Sequence, residues 1–551
     1  MSKNNVNPQK EEIKNMMIAM VLVTLIFFGF NYVNAPEQQA VENSMTTAAV
    51  EQADNAKLVN AVVGQEEAAP IKAEPVTLEN KYIKASFDAA LGGVTDLSLL
   101  KYKETVEEDS KKVQLFNSDY FTSLMWQSKD VSMPHLNSFW TLDEGVSSET
   151  KKVFVFQNAD IKIERTIELD DKYMISVLDK VHNLKDQPIK VYQQGSFERV
   201  MNEMPAVSTV HQGFVGFLND ELVEEKYDDK PIIYSGRTEF GWFGLTDKYW
   251  QGLMIFDGND SLAVTFSSDK NKKYNASFET DNIVIPSQGA IEKKVMLFAG
   301  AKDINVINQY QKDLNIKHFD LSIDFGWFRF LTQPFLSFLN YLYSLIGNMG
   351  VAIIVFATII RVAMLPIATK SYESMAKMRK VQPKLKQIQD RFKNDPRRLQ
   401  IEMANLYKRE KINPASGCLP LLLQIPVFFA LYKVLSISIN MRQAPFFGWI
   451  EDLSMPDPLT IFNGFGYFDW EVPALLAIGI WPILMGLTMY IQQKLSPAPT
   501  DKSQAKMMQF LPVIFTLMMA SFASGLIIYW TWSNVLSILQ QKYIMKKVGV
   551  E

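Results

Sequence analysis

Five blocks of apolar residues approach the length of a bilayer crossing: 16–32, 349–368, 417–439, 472–491 and 507–539. A crossing needs about 20 residues at 1.5 Å each. The last block is too long for one helix and is broken by Ser521, Ser524 and Gly525, which predicts a hairpin of two short helices and six spans in all. Between the first two blocks the pattern changes. KVFVF at 152–156, IKIERTIEL at 161–169 and YMISVL at 173–178 alternate apolar with polar positions, and Asp170 and Asp171 separate the last two as a turn. These are antiparallel strands, and about 240 residues of this kind predict a large β-sandwich over 76–323. Residues 33–75 contain no aromatic and are rich in Ala, Glu and Gln, the composition of a flexible linker.

Two further segments carry helical rather than strand spacing. Met375, Met378, Leu385, Ile388 and Phe392 mark one apolar stripe, and Leu399, Met403 and Leu406 mark another; Asp395 stands between them as an N-cap, with Pro396 at the first helical position. Residues 370–414 are therefore read as a helical hairpin. In 324–346 the aromatics Trp327, Phe328, Phe330, Phe335, Phe338 and Tyr341 recur near helical spacing, with Arg329, Gln333 and Asn340 interleaved. That composition suits an amphipathic helix lying in the outer membrane interface, the last core helix of the sandwich being the alternative.

Charge orients the whole. The net charge of −4 and the pI of 5.8 average two unlike halves, since residues 33–349 hold 31 basic and 46 acidic residues. Residues 370–414 carry 13 basic and 5 acidic residues, whereas 441–471 carry 1 and 5. By the excess of Lys and Arg in cytoplasmic loops the first is inside and the second outside. The expected order is a cytoplasmic N-terminus (1–15), an anchor (16–32), the external linker and sandwich, the interfacial helix, then spans at 347–369, 415–440, 472–491, 507–523 and 524–541. The hairpin, the loop at 492–506 and the tail at 542–551 lie inside. The first block could also be a cleaved signal sequence, but Pro36 just after Val33, Asn34 and Ala35 fits a protease site poorly, which favours an uncleaved anchor.

The chemistry is sparse. His135, His182, His211 and His318 are scattered, and there is no triad spacing, metal-ligand cluster or Gly-rich phosphate loop. No enzymatic centre, cofactor, nucleic-acid site or small-molecule ligand is expected, although a sugar-binding, mutarotase-like sandwich stays open on fold grounds. Glu224, Glu225, Asp228 and Asp229 are read as a solvated loop. Cys418, the one cysteine, can form no disulfide within the chain and is read as a small buried apolar residue.

Inside the spans the polar candidates are Arg361, Gln424, Tyr432, Lys433, Tyr529 and Asn534. Lys433 is close enough to the outer end of its span to serve as an interfacial anchor. Arg361 lies nine residues from Lys370, about 13 Å along a helix, beyond comfortable snorkelling. A charge at this depth pairs or faces water. No Asp or Glu lies within the last five spans, so a hydrated cavity opening toward the cytoplasm is the better setting. A transporter could have such a cavity, but the ion-coupling carboxylates and internal repeat usual in transport sites are missing. A receptor acting through the external domain is the other rival. The basic face of the hairpin suits anionic lipid, ribosomal RNA or a signal-recognition partner, or serves only to fix topology.

Several runs resemble the YidC family of bacterial membrane protein insertases, related to the mitochondrial Oxa and chloroplast Alb insertases. They are QPFLSFLNYLYSLIGNMGVAIIVFATIIRVAMLP, SYESMAKMRKVQPKLKQI, KINPASGCLPLLLQIPVFFALYKVL, MRQAPFFGWIEDLS, PILMGLTM, FLPVIF and SGLIIYWTWSNVLSILQQ. The resemblance is close over 324–542, and an anchor followed by a large external sandwich matches the Gram-negative members by architecture. It implies a polytopic α-helical membrane protein of six transmembrane helices with a five-helix insertase core, plus a large all-β periplasmic sandwich, in the inner membrane with both termini cytoplasmic. It also implies a hydrophilic groove open to the cytoplasm and to lipid but closed outside. Arg361 takes the place of the family's groove arginine, Gln424 and Tyr529 match groove-facing positions, and Pro426 matches a proline of the third span. Trp530 stands where close relatives have a second tyrosine, and Lys433 where they have an aromatic. The implied partners are nascent membrane proteins, the lipid bilayer, the Sec translocon, the signal-recognition pathway and the ribosome. Recruitment would fall to Lys377, Arg379, Lys380, Lys384, Arg391, Arg397 and Arg398 of the hairpin.

Overall fold

The computed structural model describes residues 75–549 apart from 206–208, 229–230, 257, 259–260, 411, 413–418, 469, 471–476 and 497–501. The expected N-terminal segment, anchor and most of the linker (1–74), together with Cys418, lie outside the described residues.

The alternating segments form strands where the pattern puts them. Lys151–Gln157 pairs with Ile161–Leu169, which pairs with Met174–Asn183, all antiparallel, and the carboxylate of Asp170 accepts the amides of Lys172 and Met174 in the turn. These strands belong to a nine-stranded sheet; a six-stranded and a four-stranded sheet complete the domain. Apolar alternation buries Ile161, Ile163, Ile167 and Leu169 on one face. The same face carries an ion pair that the pattern does not announce. Arg165 and Asp179 sit opposite one another in register, fully buried, with Arg165 Nε 2.7 Å from Asp179 Oδ1. Trp126 Nε1 donates to Asp179 at 2.8 Å and Arg165 Nη2 donates to the Leu124 carbonyl at 3.1 Å, both from a strand of the six-stranded sheet. Buried charges persist when paired and fully hydrogen-bonded, and here the pair bolts two sheets together. Glu221, Glu224 and Glu225 lie in an edge strand, Glu221–Lys226, paired with Gly213–Leu218. The solvated-loop reading is corrected there: charged residues on an edge strand discourage pairing with other chains.

Nine helices of six or more residues follow among the described residues: α1 (Ile304–Asp313), α2 (Arg329–Ile346), α3 (Met349–Ala363), α4 (Leu365–Arg391), α5 (Pro396–Arg409), α6 (Leu419–Ile437), α7 (Ile480–Leu495), α8 (Lys502–Met519) and α9 (Ser524–Val548). Asp303 caps α1 and Asn348 caps α3 through side-chain oxygens, the latter accepting the Val351 amide at 3.0 Å. Gly347 closes α2 in the left-handed region, at φ +77°. Asp395 caps α5, its carboxylate accepting the Arg398 amide at 3.1 Å, and Pro396 opens it. Leu336, Leu339 and Leu342 form the buried face of α2, and Phe335 and Phe338 pack on Phe356 of α3, while Trp327, Phe330, Tyr341 and Leu345 stay exposed.

One expected helix is two. The span at 347–369 breaks at Met364, and α3 and α4 meet at 67°. Pro366 supplies the cause: it has no amide to donate, its ring clashes with a carbonyl one turn back, and its fixed φ suits the opening of α4. Among the described residues no single helix is long and apolar enough to cross a membrane; this bent pair together has the length and apolar composition of a crossing. The expected break in the last apolar block lies between Met519 and Ser524. There the amides of Ser524 and Gly525 donate to the carbonyls of Met455 and Leu453, at 2.7 and 3.0 Å. Helix α9 runs on to Val548, past the expected end at 541. It is the centre of the bundle, packing on α3, α4, α6 and α7. At its start Gly525 lies close to the turn after α6 and to the Leu453 carbonyl, a Cβ there standing 2.5 Å from Met441 Cε and 3.2 Å from Leu453 O.

Candidate functional site: a polar cluster where four helices meet

Arg361 occupies the last turn of α3, one turn before the break. Its Nη1 lies 3.5 Å from Gln424 Oε1 on α6, and its Nη2 lies 3.5 Å from the Tyr372 hydroxyl on α4. Gln424 Nε2 in turn donates to the Tyr529 hydroxyl on α9 at 3.0 Å. Three residues picked out from the sequence thus come together. Tyr372, the fourth, is not legible from spacing: on a straight helix, residues eleven apart share a face but stand about 16 Å apart. The bend at Met364 folds α4 back and closes that gap.

The cluster has spare capacity. Arg361 Nε is buried and meets no acceptor, and no carboxylate pairs with this guanidinium among the described residues. Both contacts to Arg361 are long for hydrogen bonds to a charged donor, which sit nearer 2.8 Å when fully formed. The guanidinium is held in place without being neutralised. Further along α9, Trp532 Nε1 donates to Thr358 Oγ1 at 2.9 Å, Asn534 Nδ2 donates to Thr488 Oγ1 at 3.1 Å, and the buried Gln541 side-chain amide meets no partner among the described residues. Polar groups therefore follow the helix from Tyr529 towards its C-terminal end.

Trp530 turns away from the cluster, onto Phe428 and Phe515 at ring separations of 4.7 and 5.8 Å. Pro426 lies within α6, two residues from Gln424, and is half-buried. Trp530 thus borders an apolar wall of α6, α8 and α9 rather than the guanidinium.

In the hairpin, Lys377, Lys380, Lys384, Arg391, Arg397 and Arg398 are exposed, and Lys384 pairs with Glu410 at 2.9 Å. Arg391 and Arg398 lie over the ring of Phe392, 5.5 and 5.4 Å from its centroid. Arg379 differs: its guanidinium turns inward to the Leu495 carbonyl at the end of α7, at 3.4 Å, and to Met545 of α9. It fastens α4 to the bundle beside the small cluster of Ala376, Leu495 and Met545.

At the opposite end of α6, Lys433 is no free anchor. Its Nζ lies 2.6 Å from Asp324 Oδ2, and that carboxylate also accepts the His211 amide at 2.8 Å. Burial alone would raise the Asp324 carboxyl, but Lys433 and the His211 amide hold it below the usual carboxylate range. Snorkelling to water loses here to a partner already in reach. His211 itself is buried, and burial pushes its imidazole down to about 4 against the opposing bond from Nε2 to the Phe214 carbonyl. Among the described residues no group of His, Cys, Asp and Glu could hold a metal ion.

Residues 341–550 match the family model described as 60Kd inner membrane protein, and residues 75–338 match the YidC periplasmic domain. A membrane protein insertase YidC of Rhizobium meliloti is 36% identical, covering 98% of this chain and 97% of that one. The protein of the same name from Rickettsia massiliae is 38% identical, covering 97% and 99%. Among solved structures, an active YidC insertase with its first transmembrane domain resolved overlays 89% of this chain and 98% of its own at 19% identity, with a TM-score of 0.37, too loose to bear on side-chain geometry.

Proposed function

The chain belongs to the YidC family and works as a membrane protein insertase, an inner-membrane protein with a mostly β periplasmic domain, and from that premise we propose that Arg361, Gln424, Tyr372 and Tyr529 form its substrate-receiving groove. One observation carries the reading: a guanidinium positioned by neutral groups from two other helices, one of them held in turn by Tyr529 of α9, and paired with no carboxylate among the described residues. Such a charge is available to an acidic group arriving from outside the molecule.

The physical task is to bring the polar tail of a newly made membrane protein through hydrocarbon. A hydrated recess reaching partway into the bilayer shortens the apolar path, and Arg361 holds an acidic tail transiently along it. Gln424 and Tyr529 offer neutral hydrogen bonds that follow the tail without trapping it. The apolar segment leaves along the wall of Phe428, Phe515 and Trp530 between α6, α8 and α9, driven by its own partitioning into lipid. Pro426 shapes that wall within α6.

In this reading α3 with the start of α4, then α6, α7, α8 and α9 are the five core spans, the segment at 16–32 is a sixth, both termini are cytoplasmic, and α2 lies in the outer interface. The exposed cations of the hairpin, Lys377, Lys380, Lys384, Arg391, Arg397 and Arg398, meet anionic lipid, the ribosome or the signal-recognition pathway, and a Sec-type channel cooperates for larger substrates.

Crosslinking decides the central point. A photoreactive side chain placed at Gln424 or Tyr529 is expected to capture a stalled nascent membrane protein, with much weaker capture from Leu345 on the exposed face of α2. Equal capture at the three positions would remove the groove.

A further inference from the structure

The external segment between α6 and α7 ends in an unusual turn. Residues 458–468, PLTIFNGFGYF, contain no charge, and their large side chains point outward: Tyr467 is 85% exposed and Phe465 51%, with Ile461, Phe462 and Phe468 each near half. Trp470 continues the set, its ring stacked on Phe468 with 5.0 Å between centroids. Isolated apolar residues on a surface need no explanation, but a contiguous group of this size does.

Three features show that the exposure is built. First, most backbone amides are satisfied from within. The amides at 460–461 and 463–468 all donate inside the segment or to the Ile478 carbonyl, with the Asn463 side chain accepting from Thr460 and Gly466. Most of the amides of this turn are thus spent internally, which lowers the cost of placing irregular backbone close to hydrocarbon; the Phe462 amide and the carbonyls at its tip remain to be met by water or headgroups. Second, Phe465 holds φ +57° between Gly464 at +60° and Gly466 at +86°. A bulky residue in the left-handed region costs backbone energy, and here it keeps a phenyl ring outside the fold. Third, the base of the turn is fixed. Asp457, buried, accepts from Trp449 Nε1 at 2.9 Å, from the Leu459 amide at 3.1 Å and from the Trp481 amide in the first turn of α7 at 2.8 Å. The turn is thereby fastened to α7, whose outward face exposes Leu484, Leu487, Tyr490 and Ile491. Both exposed surfaces are apolar, and the bonds of Asp457 hold the turn at the start of α7.

We propose that residues 460–468 form a lipid-seated finger, with the rings of Phe465 and Tyr467 immersed in the outer leaflet at the boundary between headgroups and acyl chains. The inference rests on the reading of α7 as a membrane span whose N-terminal end faces outside. Its ligand is the bilayer. Aromatic rings prefer that boundary, and a charge-free turn fastened to the outer end of a span reaches it without further rearrangement. The finger fixes the depth of α7, and through the packing of α7 on α9 it fixes the depth of Tyr529.

The test uses the full chain carrying Cys418→Ser, reconstituted into vesicles of phosphatidylethanolamine and phosphatidylglycerol. Single cysteines introduced as Tyr467→Cys, Leu487→Cys and Glu451→Cys carry a nitroxide label, and relaxation by oxygen is compared with relaxation by a water-soluble nickel chelate. The Tyr467 position is expected to favour oxygen severalfold, at a shallower depth than Leu487, while exposed Glu451 favours nickel. Nickel accessibility at Tyr467 with oxygen at Leu487 overturns the finger and leaves α7 in the membrane. Nickel at both positions removes the span reading and the finger together. Exclusion of both reagents at Tyr467 overturns the proposal in favour of contact with a second copy of the chain. A second readout needs no label: Trp470→Phe is expected to remove part of the tryptophan emission quenched by lipids brominated near the glycerol end, and an unchanged quenched fraction counts against immersion.

Discussion

Arg361 shows what a residue in the wrong solvent implies. Its neighbours Gln424 and Tyr372 orient the guanidinium at 3.5 Å each but supply no charge. A carboxylate brought to it would gain a charge-assisted bond of about 1.5–3 kcal/mol, so Arg361→Ala should slow insertion of acidic-tailed substrates about tenfold or more. Arg361→Lys keeps the charge and should retain most activity. Insertion rates for one substrate with acidic and with neutral tails check this, and an unchanged rate for the acidic tail in the Ala variant removes the electrostatic step. His211 makes a separate prediction. Its folded value of about 4 lies below the ordinary value near 6.5, so the unfolded chain binds more protons between these values. Stability should be fully present above about pH 6.5 and fall as pH drops towards about 4, by on the order of 3 kcal/mol at full effect, then change no further on this account. Lys302, Lys226 and Asp324 form its charged surroundings. Thermal unfolding of the full chain against pH, with His211→Gln flattening that window, provides the measurement.

Elements were legible where the pattern had one interpretation. Strict alternation predicted Ile161–Leu169 to the residue, and the Asp395–Pro396 cap predicted the start of α5. The helix over 347–369 misled, because apolar continuity reports burial or lipid and says nothing of direction; Pro366 was the available signal for the bend. Lys433 was misread for a related reason. Its partner Asp324 is remote in sequence, and no local pattern encodes a pairing that depends on how the external domain meets α6. That pair is partly screened, so breaking it by Asp324→Asn or by Lys433→Met should cost about 2 kcal/mol. The double substitution should restore most of the loss, since it leaves no unpaired charge. Chemical unfolding of the four proteins in micelles measures the coupling, and strictly additive losses would dissolve it.

For the molecule as a whole, the sequence divided the chain into an external β part and a helical part, and both are present. It was silent on how they are joined. Besides Asp324, the bonds run from Arg442 Nη2 to the Glu104 carbonyl at 2.9 Å and from Gln443 Nε2 to the Lys103 carbonyl at 3.0 Å. Arg442 also lies over the Trp250 ring, 5.3 Å from its centroid, and a buried apolar cluster runs through both parts, but these polar bonds reach none of Arg361, Gln424, Tyr372 and Tyr529. Deleting residues 82–315 should leave insertion largely intact while lowering the thermal stability of the helical part. Loss of insertion in a deletion variant that keeps its helical content would give the sandwich an essential part in the reaction.

The central position of α9 has a consequence in time. Arg361 and Gln424 are made well before Tyr529, so during synthesis the chain holds its guanidinium with the opposite wall still missing, and the outer amides of α9 find the Met455 and Leu453 carbonyls only once that helix arrives. Assembly of the proposed receiving surface is thus a late event in the life of each molecule. Until α9 is made, Gln424 lacks its Tyr529 partner and the cluster around Arg361 is incomplete.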